Sequence, residues 1–331
     1  MLKKKNFLRI VVNSILGIVL VFVWTRFVNL GQTFAILKTV QLQWVAFFFL
    51  FYIISTLLRG LRFKILLGDY KLPLKDLSLL NVLSQFLSFM IPIRLGEITK
   101  SVYLTSQFDL PLGKALTWVF VDRFLDFWVV LLLIVIFLFL TPTILPASLA
   151  QSVLVVFLVF SLAAVIIVSS QSRAKKLVTF LGKFLIFEGV KEKVVSFIHT
   201  IIEGFEVLRR HPLEVVWLVV LTILATVSDS MIWIIAFKSL GIDLGIGKVI
   251  LGNSLTALTF IVPAAPGYVG SAEASILAVF GGILGLEANM VSAASVLYHV
   301  VTIITLLIGG LSALYLLKFD LGLVWKKVKG G

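Results

Sequence analysis

The chain has 331 residues and a mass of 36.7 kDa; 60% of its residues are hydrophobic, 14% are charged, and its mean hydropathy is +1.13. Soluble domains carry roughly 25% charged residues, and a chain this short cannot hide so much apolar surface from water; a soluble enzyme, a secreted module and a disordered regulator are excluded, and a polytopic membrane protein remains. The net charge of +13 would suggest nucleic acid on a soluble protein, but here the basic residues lie mostly in short connections between apolar runs, as positive-inside topology requires, and no nucleic-acid partner is expected.

Crossing a bilayer takes about 20 apolar residues, and runs of that length cover 8–28, 41–61, 115–140, 150–170, 213–237 and 289–317. The first follows Met1-Leu2-Lys3-Lys4-Lys5 without a small-residue cleavage site, so it reads as an uncleaved span with its basic end inside. Phe127 to Ser172 is free of charge, and Thr141-Pro142-Thr143-Ile144-Leu145-Pro146 divides it into two spans. Two further apolar segments are interrupted: 77–107 at Ile91-Pro92-Ile93-Arg94-Leu95-Gly96-Glu97, and 247–286 at Pro263-Ala264-Ala265-Pro266-Gly267-Tyr268-Val269-Gly270. Pro/Gly breaks at membrane depth occur where the backbone lines a cavity, and both segments read as re-entrant helical hairpins.

Charge parity agrees with that reading. With the N-terminus inside, Arg59–Lys75 and 171–212 fall inside, 141–149 falls outside, and Lys326-Lys327-Val328-Lys329 returns inside only if each broken segment leaves by the side it entered. Both termini are then cytoplasmic. The expected fold is an all-α membrane protein with six full spans and two hairpins. Pro92-x-x-x-Gly96 and Pro266-x-x-x-Gly270 are offset by 174 residues, close to the offset of the spans around them. The chain therefore reads as one transmembrane domain over 1–331, an inverted repeat of halves at about 1–140 and 150–320, which places a site at the repeat interface. Between them lies a cytoplasmic segment, 173–212, whose 188–210 stretch is amphipathic and suits the membrane interface; docking of a partner is the other reading.

Charged residues inside spans are costly, about 2.5–3.5 kcal/mol each on the lenient scale, so each needs a reason. Arg94, Gly96, Glu97 and Lys100 surround the first break: Arg94 and Glu97 neutralise each other, or Arg94 and the helix N-terminus beginning near Gly96 hold a phosphate. Asp122 and Asp126 share a helix face, with Arg123 beside them; they lock this helix to Arg94, or Arg123 holds an anionic headgroup while an Asp titrates. In the second break Gly267 and Gly270 permit positive φ, Ser271 is placed to cap the exiting helix, and Glu273 either suits the helix dipole or couples ions or protons. Arg59 and Arg62, with Lys64, snorkel to the interface or gather headgroups. His299, beside Tyr298, is a hydrogen-bonded core residue or a proton relay. Asp229 is tied to Ser228 and Ser230 or to another helix. The absence of Cys excludes disulfides and thiol chemistry, and His199, His211 and His299 form no metal-binding pattern, so no cofactor or metal is expected.

Leu58-Arg59-Gly60-Leu61-Arg62-Phe63-Lys64, Pro92-Ile93-Arg94-Leu95-Gly96-Glu97, Val121-Asp122-Arg123 and Pro266-Gly267-Tyr268-Val269-Gly270-Ser271-Ala272-Glu273 together resemble the transmembrane-region family of lysylphosphatidylglycerol synthases, the flippase-like domain of multiple peptide resistance factors. Relatives in that family occur alone or as the membrane part of polyisoprenyl-glycosylation proteins. Family members commonly have a second Gly where this chain has Tyr268. The resemblance implies a lipid translocase rather than an enzyme, in a prokaryotic cell membrane, moving an aminoacyl phospholipid or a polyisoprenyl-phosphate-linked sugar. It also implies a lipid-modifying or glycosyltransferase partner. The synthase activity belongs to a soluble domain that family members add, and it is not expected here.

On this reading Arg59, Arg62, Arg94, Gly96, Arg123, Gly267, Gly270 and Ser271 contact the headgroup, while Glu97, Asp122, Asp126, Glu273 and His299 balance and couple charge. The chain has no GxxxxGK[ST], so a gradient or mass action supplies the driving force. Two other classes compete. One is a membrane-embedded transferase on lipid phosphates, with Asp122 or Glu97 as base; the other is a secondary transporter of a small anion.

Overall fold

A computed structural model describes residues 4–68, 70, 72–91, 95–182, 192, 195–196, 198–200, 202, 205, 212–260 and 265–323. Helix dominates and, among the described residues, there are no strands. Pro92, Ile93, Arg94 and Pro263, most of the 188–210 stretch and the C-terminal lysines lie outside the described residues.

The helices follow from the punctuation of the sequence. After α1 (Lys4–Phe27), Asn29 accepts the Gln32 N–H and caps a short α2 (Leu30–Leu37). The two are bent by 88°, so the first apolar run ends in a turn that the sequence reading did not foresee. Next come α3 (Leu42–Leu66) and α4 (Leu74–Met90). Pro73 stands at the N-cap of α4, and α4 stops just before Pro92, whose ring disfavours the helical region for the residue preceding it. Past the break, α5 runs Leu95–Phe108. Prolines again set the limits of α6 (Leu112–Leu140), which begins after Pro111, and α7 (Ala147–Ser169), which begins after Pro146. None of α7 is buried, as suits a helix surrounded by lipid. α8 (Gln171–Gly182) follows, then α9 (Pro212–Ser239) and α10 (Ile246–Thr259).

The second break is a 3-10 turn at Pro266–Tyr268, with Gly267, Tyr268 and Gly270 at φ of 68°, 55° and 80°. Only glycine adopts that region freely, so Tyr268 is the strained member. The chain leaves through α11 (Ser271–Ile276), continues as a π-helical stretch over Leu277–Ile283, and ends in α12 (Ala288–Leu316). Leu42–Leu66, Leu112–Leu140, Ala147–Ser169, Leu213–Ser239 and Ala288–Leu316 are long and apolar enough to cross a membrane; counting the bent first pair as one span gives six.

The packing exchanges elements between the two parts of the chain: α3 lies on α9, α4 on α12, and α6 on α10. Main-chain and side-chain bonds gather connections at two ends. At one end Gln41 N–H donates to Ser239 O at 2.8 Å, Ile144 N–H to Ile283 O at 2.8 Å, and Asn29 N–H to Asn289 Oδ1 at 2.7 Å. At the other, Lys114 reaches Tyr70, and the Tyr103 ring meets Phe108 and Phe319. Two apolar cores correspond to these ends. One is built on Phe63, Leu80, Trp118, Val121, Leu125 and Leu218; the other on Val130, Ile134, Trp233, Phe280 and Val291. Along α6 the first core ends at Leu125 and the second begins at Val130, and along α9 the interval runs from Leu218 to Trp233. Asp126 on α6 and Asp229 on α9 lie in those intervals, and Asp122 and Arg123 stand just before the first.

Candidate functional site

Helical spacing assembles the first cluster. Asp122 and Asp126, one turn apart on α6, both face α3, where Arg62 lies. Arg62 Nε donates to Asp122 Oδ1 at 2.9 Å, its Nη1 reaches Asp126 and also Thr222 Oγ1 on α9 at 3.0 Å. Lys100 of α5 stands 3.4 Å from the other Asp122 oxygen. One turn back on α3, Arg59 pairs with Asp229 of α9 at 2.6 Å, and Ser55 bridges the two. Arg123 turns the other way: Nη1 lies 3.1 Å from Asp126, and Nε lies 2.9 Å from Glu97 Oε1.

Within this cluster four cations (Arg59, Arg62, Lys100, Arg123) balance four carboxylates (Glu97, Asp122, Asp126, Asp229). Burial separates their roles. Arg62, Lys100 and Asp122 are 0–2% exposed, so ionised side chains persist there only because each has partners. The Arg123 side chain is 40% exposed. Among the described residues no acceptor aligns with Arg123 Nε for a hydrogen bond, and Glu97 Oε2 likewise has no donor. Both residues border a cavity of about 600 Å3 whose polar wall also includes Arg59, Asp126, Asp229 and Asn253, and whose apolar wall includes Phe127, Val130 and Leu258.

Tyr268 lines the same cavity and connects it to the second cluster. Its ring rests against Phe89 and Phe260, with centroids at 5.9 and 5.1 Å. Behind it, His299 of α12 meets Glu273 through Nδ1 and the Gly267 carbonyl through Nε2 at 2.7 Å. Glu273 Oε2 accepts the Gly270 N–H at 2.8 Å. The positive-φ turn is thus fastened at both of its glycines to one carboxylate–imidazole pair.

The structure brings together Arg59, Arg62, Glu97, Asp122, Arg123 and Asp126 in one cluster, and Gly267, Gly270, Glu273 and His299 in the other. Gly96 packs tightly against α4 beside Ser84 and Ser88. Ser271 does not cap α11: Gly270 is the N-cap residue, and the Ser271 hydroxyl donates to Tyr268 O at 2.9 Å, so Glu273 takes the capping role through the Gly270 N–H. Asp229 is held by another helix, because Ser228 turns to Phe51 O and Ser230 to Thr226 O. Gln85, Ser84, Ser88 and Asn253 also line the cavity. Sequence reasoning passed over them, although polar side chains within apolar helices were the available signal. No group of three or more acidic, Cys or His side chains suited to a metal occurs among the described residues.

The model of the family described as "Lysylphosphatidylglycerol synthase TM region" matches residues 8–310. No curated protein and no solved structure matches the chain. A family match over nearly the whole chain and the apolar helices together point to an integral membrane protein with a lipid-related function.

Proposed function

The chain belongs to the lysylphosphatidylglycerol synthase transmembrane-region family, and from that premise we propose that it is a lipid translocase, not an enzyme, that moves a phosphate-containing lipid across the bilayer through the cavity between α4–α5 and the Pro266–Gly270 turn. The observation that carries this reading is Arg123, a guanidinium 40% exposed at the cavity wall and held there by Glu97 and Asp126, beside Arg59 and opposite an apolar surface. A guanidinium binds phosphate oxygens through charge-assisted bonds, so a headgroup entering the cavity takes Arg123 in place of Glu97. Phe127, Val130 and Leu258 give the acyl or isoprenyl chain a surface that costs nothing to desolvate.

The re-entrant reading of 77–107 and 247–286 and the inverted repeat belong to the same proposal. They are supported by the exchanged packing of α3 on α9, α4 on α12 and α6 on α10, the pattern a twofold relation between halves generates. The test is movement of a fluorescent anionic phospholipid and of a polyisoprenyl phosphate in proteoliposomes containing the full chain. Loss of a charged hydrogen bond is worth about 1.5–3 kcal/mol, so Arg123→Ala is expected to slow movement roughly ten- to hundredfold, with Arg123→Lys between the two. Movement at the unmodified rate in Arg123→Ala would overturn the assignment. Chemically altered lipid on mass spectrometry would replace it with the transferase reading.

A further inference from the structure

The contacts of His299 require a proton that ordinary counting leaves out. The Gly267 carbonyl can only accept, so Nε2, 2.7 Å away, carries a hydrogen and donates it. In a neutral imidazole Nδ1 is then a bare acceptor. Yet Nδ1 faces the Glu273 carboxylate, also acceptor-only when ionised, at hydrogen-bonding contact. Two acceptors do not hold that contact. One proton lies between them, either on Nδ1 beside a carboxylate or on Glu273 beside a neutral ring, and the pair is electrically neutral in both forms.

We propose that Glu273 and His299 form a one-proton binding site whose occupancy sets the position of the Pro266–Gly270 turn and, through Tyr268, the shape of the cavity. The coupling is mechanical. When the proton leaves, a carboxylate and an imidazole lone pair face each other at sites only 8% and 7% exposed, and they separate. Glu273 holds Gly270 and His299 holds Gly267, so their separation pulls on both ends of the strained turn. Tyr268 sits between those glycines with its ring on Phe89 and Phe260, and it moves with them.

Among the described residues no other charged side chain pairs with either member. From α1 the turn meets Gly17 and Val21. From α4 the His299 ring meets Phe89, edge-on at 5.9 Å. Tyr298, the adjacent titratable group on α12, stacks on Trp233 instead, and Tyr268 is the titratable group of the turn itself. The proton site stands on its own geometry, while its coupling to lipid movement rests on the translocase reading.

Nitrogen-15 spectra of the purified full chain in lipid nanodiscs, with His199 and His211 assigned by substitution to Gln, test the site directly. A proton shared between Nδ1 of His299 and Glu273 is expected near neutral pH, and lost in Glu273→Gln. A neutral ring protonated only at Nε2, with an Nδ1 that accepts no hydrogen bond in the unmodified chain, would overturn the proposal. Coupling is tested by lipid movement between about pH 6 and about pH 9, a span over which a one-proton site changes a rate by at most about tenfold per unit. In Glu273→Gln the amide donates to Nδ1 and its oxygen accepts from Gly270, so the turn stays fastened without the proton. Its rate is expected to be flat in pH at the low-pH value of the unmodified chain. His299→Ala leaves the turn unfastened at Gly267 and is expected to be flat at the high-pH value. A pH-independent rate in the unmodified chain would reject coupling. If the unmodified chain moves no lipid at any pH, the translocase reading fails, and the spectra still decide the proton site.

Discussion

Arg62 illustrates how much one side chain holds in place at this depth. Its guanidinium bonds Asp122, Asp126 and Thr222 at once, tying α3 to α6 and α9, and it is fully buried. Replacing it with Ala leaves carboxylates in an apolar interior, a change that costs about 3–5 kcal/mol when a buried pair is broken. Thermal unfolding in detergent is expected to show that loss for Arg62→Ala. Arg62→Lys should recover only part of it, since a single ammonium cannot span the forked geometry that serves three acceptors. Arg59, with its side chain 16% exposed against an Asp229 side chain 32% exposed, should cost less than Arg62 when truncated, and Arg59→Ala with Asp229→Ala together less than the two costs added. The sequence made the shared face of Asp122 and Asp126 plain, because helical spacing is local. It left open whether Arg62 snorkels or binds, because that depends on which helix lies beside α3. An arginine one turn from a helix end has the same local sequence in both cases.

At the scale of helices, close approach is what sets α5 against α4. A Cβ at Gly96 would overlap the Ser84 carbonyl and the Ser88 hydroxyl, so the first turn of α5 lies directly against the backbone of α4 and delivers Glu97 to the cavity. Gly96→Ala must push α5 away, at about 1–3 kcal/mol for overpacking, and it should reduce lipid movement along with thermal stability because Glu97 and Lys100 ride on the same helix. Gly113→Ala supplies the contrast: nothing lies within 4 Å of a Cβ there. Its effect on unfolding should be neutral or stabilising by up to about 1 kcal/mol, with lipid movement unchanged. The breaks at 91–95 and 265–270 were legible because Pro and Gly act on their own neighbours. The 88° turn between α1 and α2 was not, since Asn29 is a cap only when the chain beyond it folds back on α12, and an apolar run carries no mark of where it bends. The π-helical stretch at Leu277–Ile283 had no sequence signal of the kind read here.

For the molecule as a whole, composition was enough to place it in a membrane, while the route of the chain depends on how often it crosses. Thr39, Ser148, Gly245 and Met290 lie near the end where Gln41 meets Ser239 and Ile144 meets Ile283; Lys75, Lys114 and Ser172 lie toward the other. If both broken segments return to the side they entered, these form two sets on opposite faces of the bilayer. The chain has no Cys, so single cysteines at these positions report on topology without background. A membrane-impermeant maleimide applied to intact cells should label Thr39→Cys, Ser148→Cys, Gly245→Cys and Met290→Cys. It should reach Lys75→Cys, Lys114→Cys and Ser172→Cys only after permeabilisation, as the positive charge around Arg59–Lys75 and 171–182 requires. The decisive pair is Lys75 with Lys114. They flank α4 and α5, and if they label from opposite faces, those helices together cross the bilayer once. Glu97 and Arg123 would then line a passage continuous with one span rather than a pocket closed at its inner end by a returning hairpin, and the lipid path proposed here would lose its geometric basis.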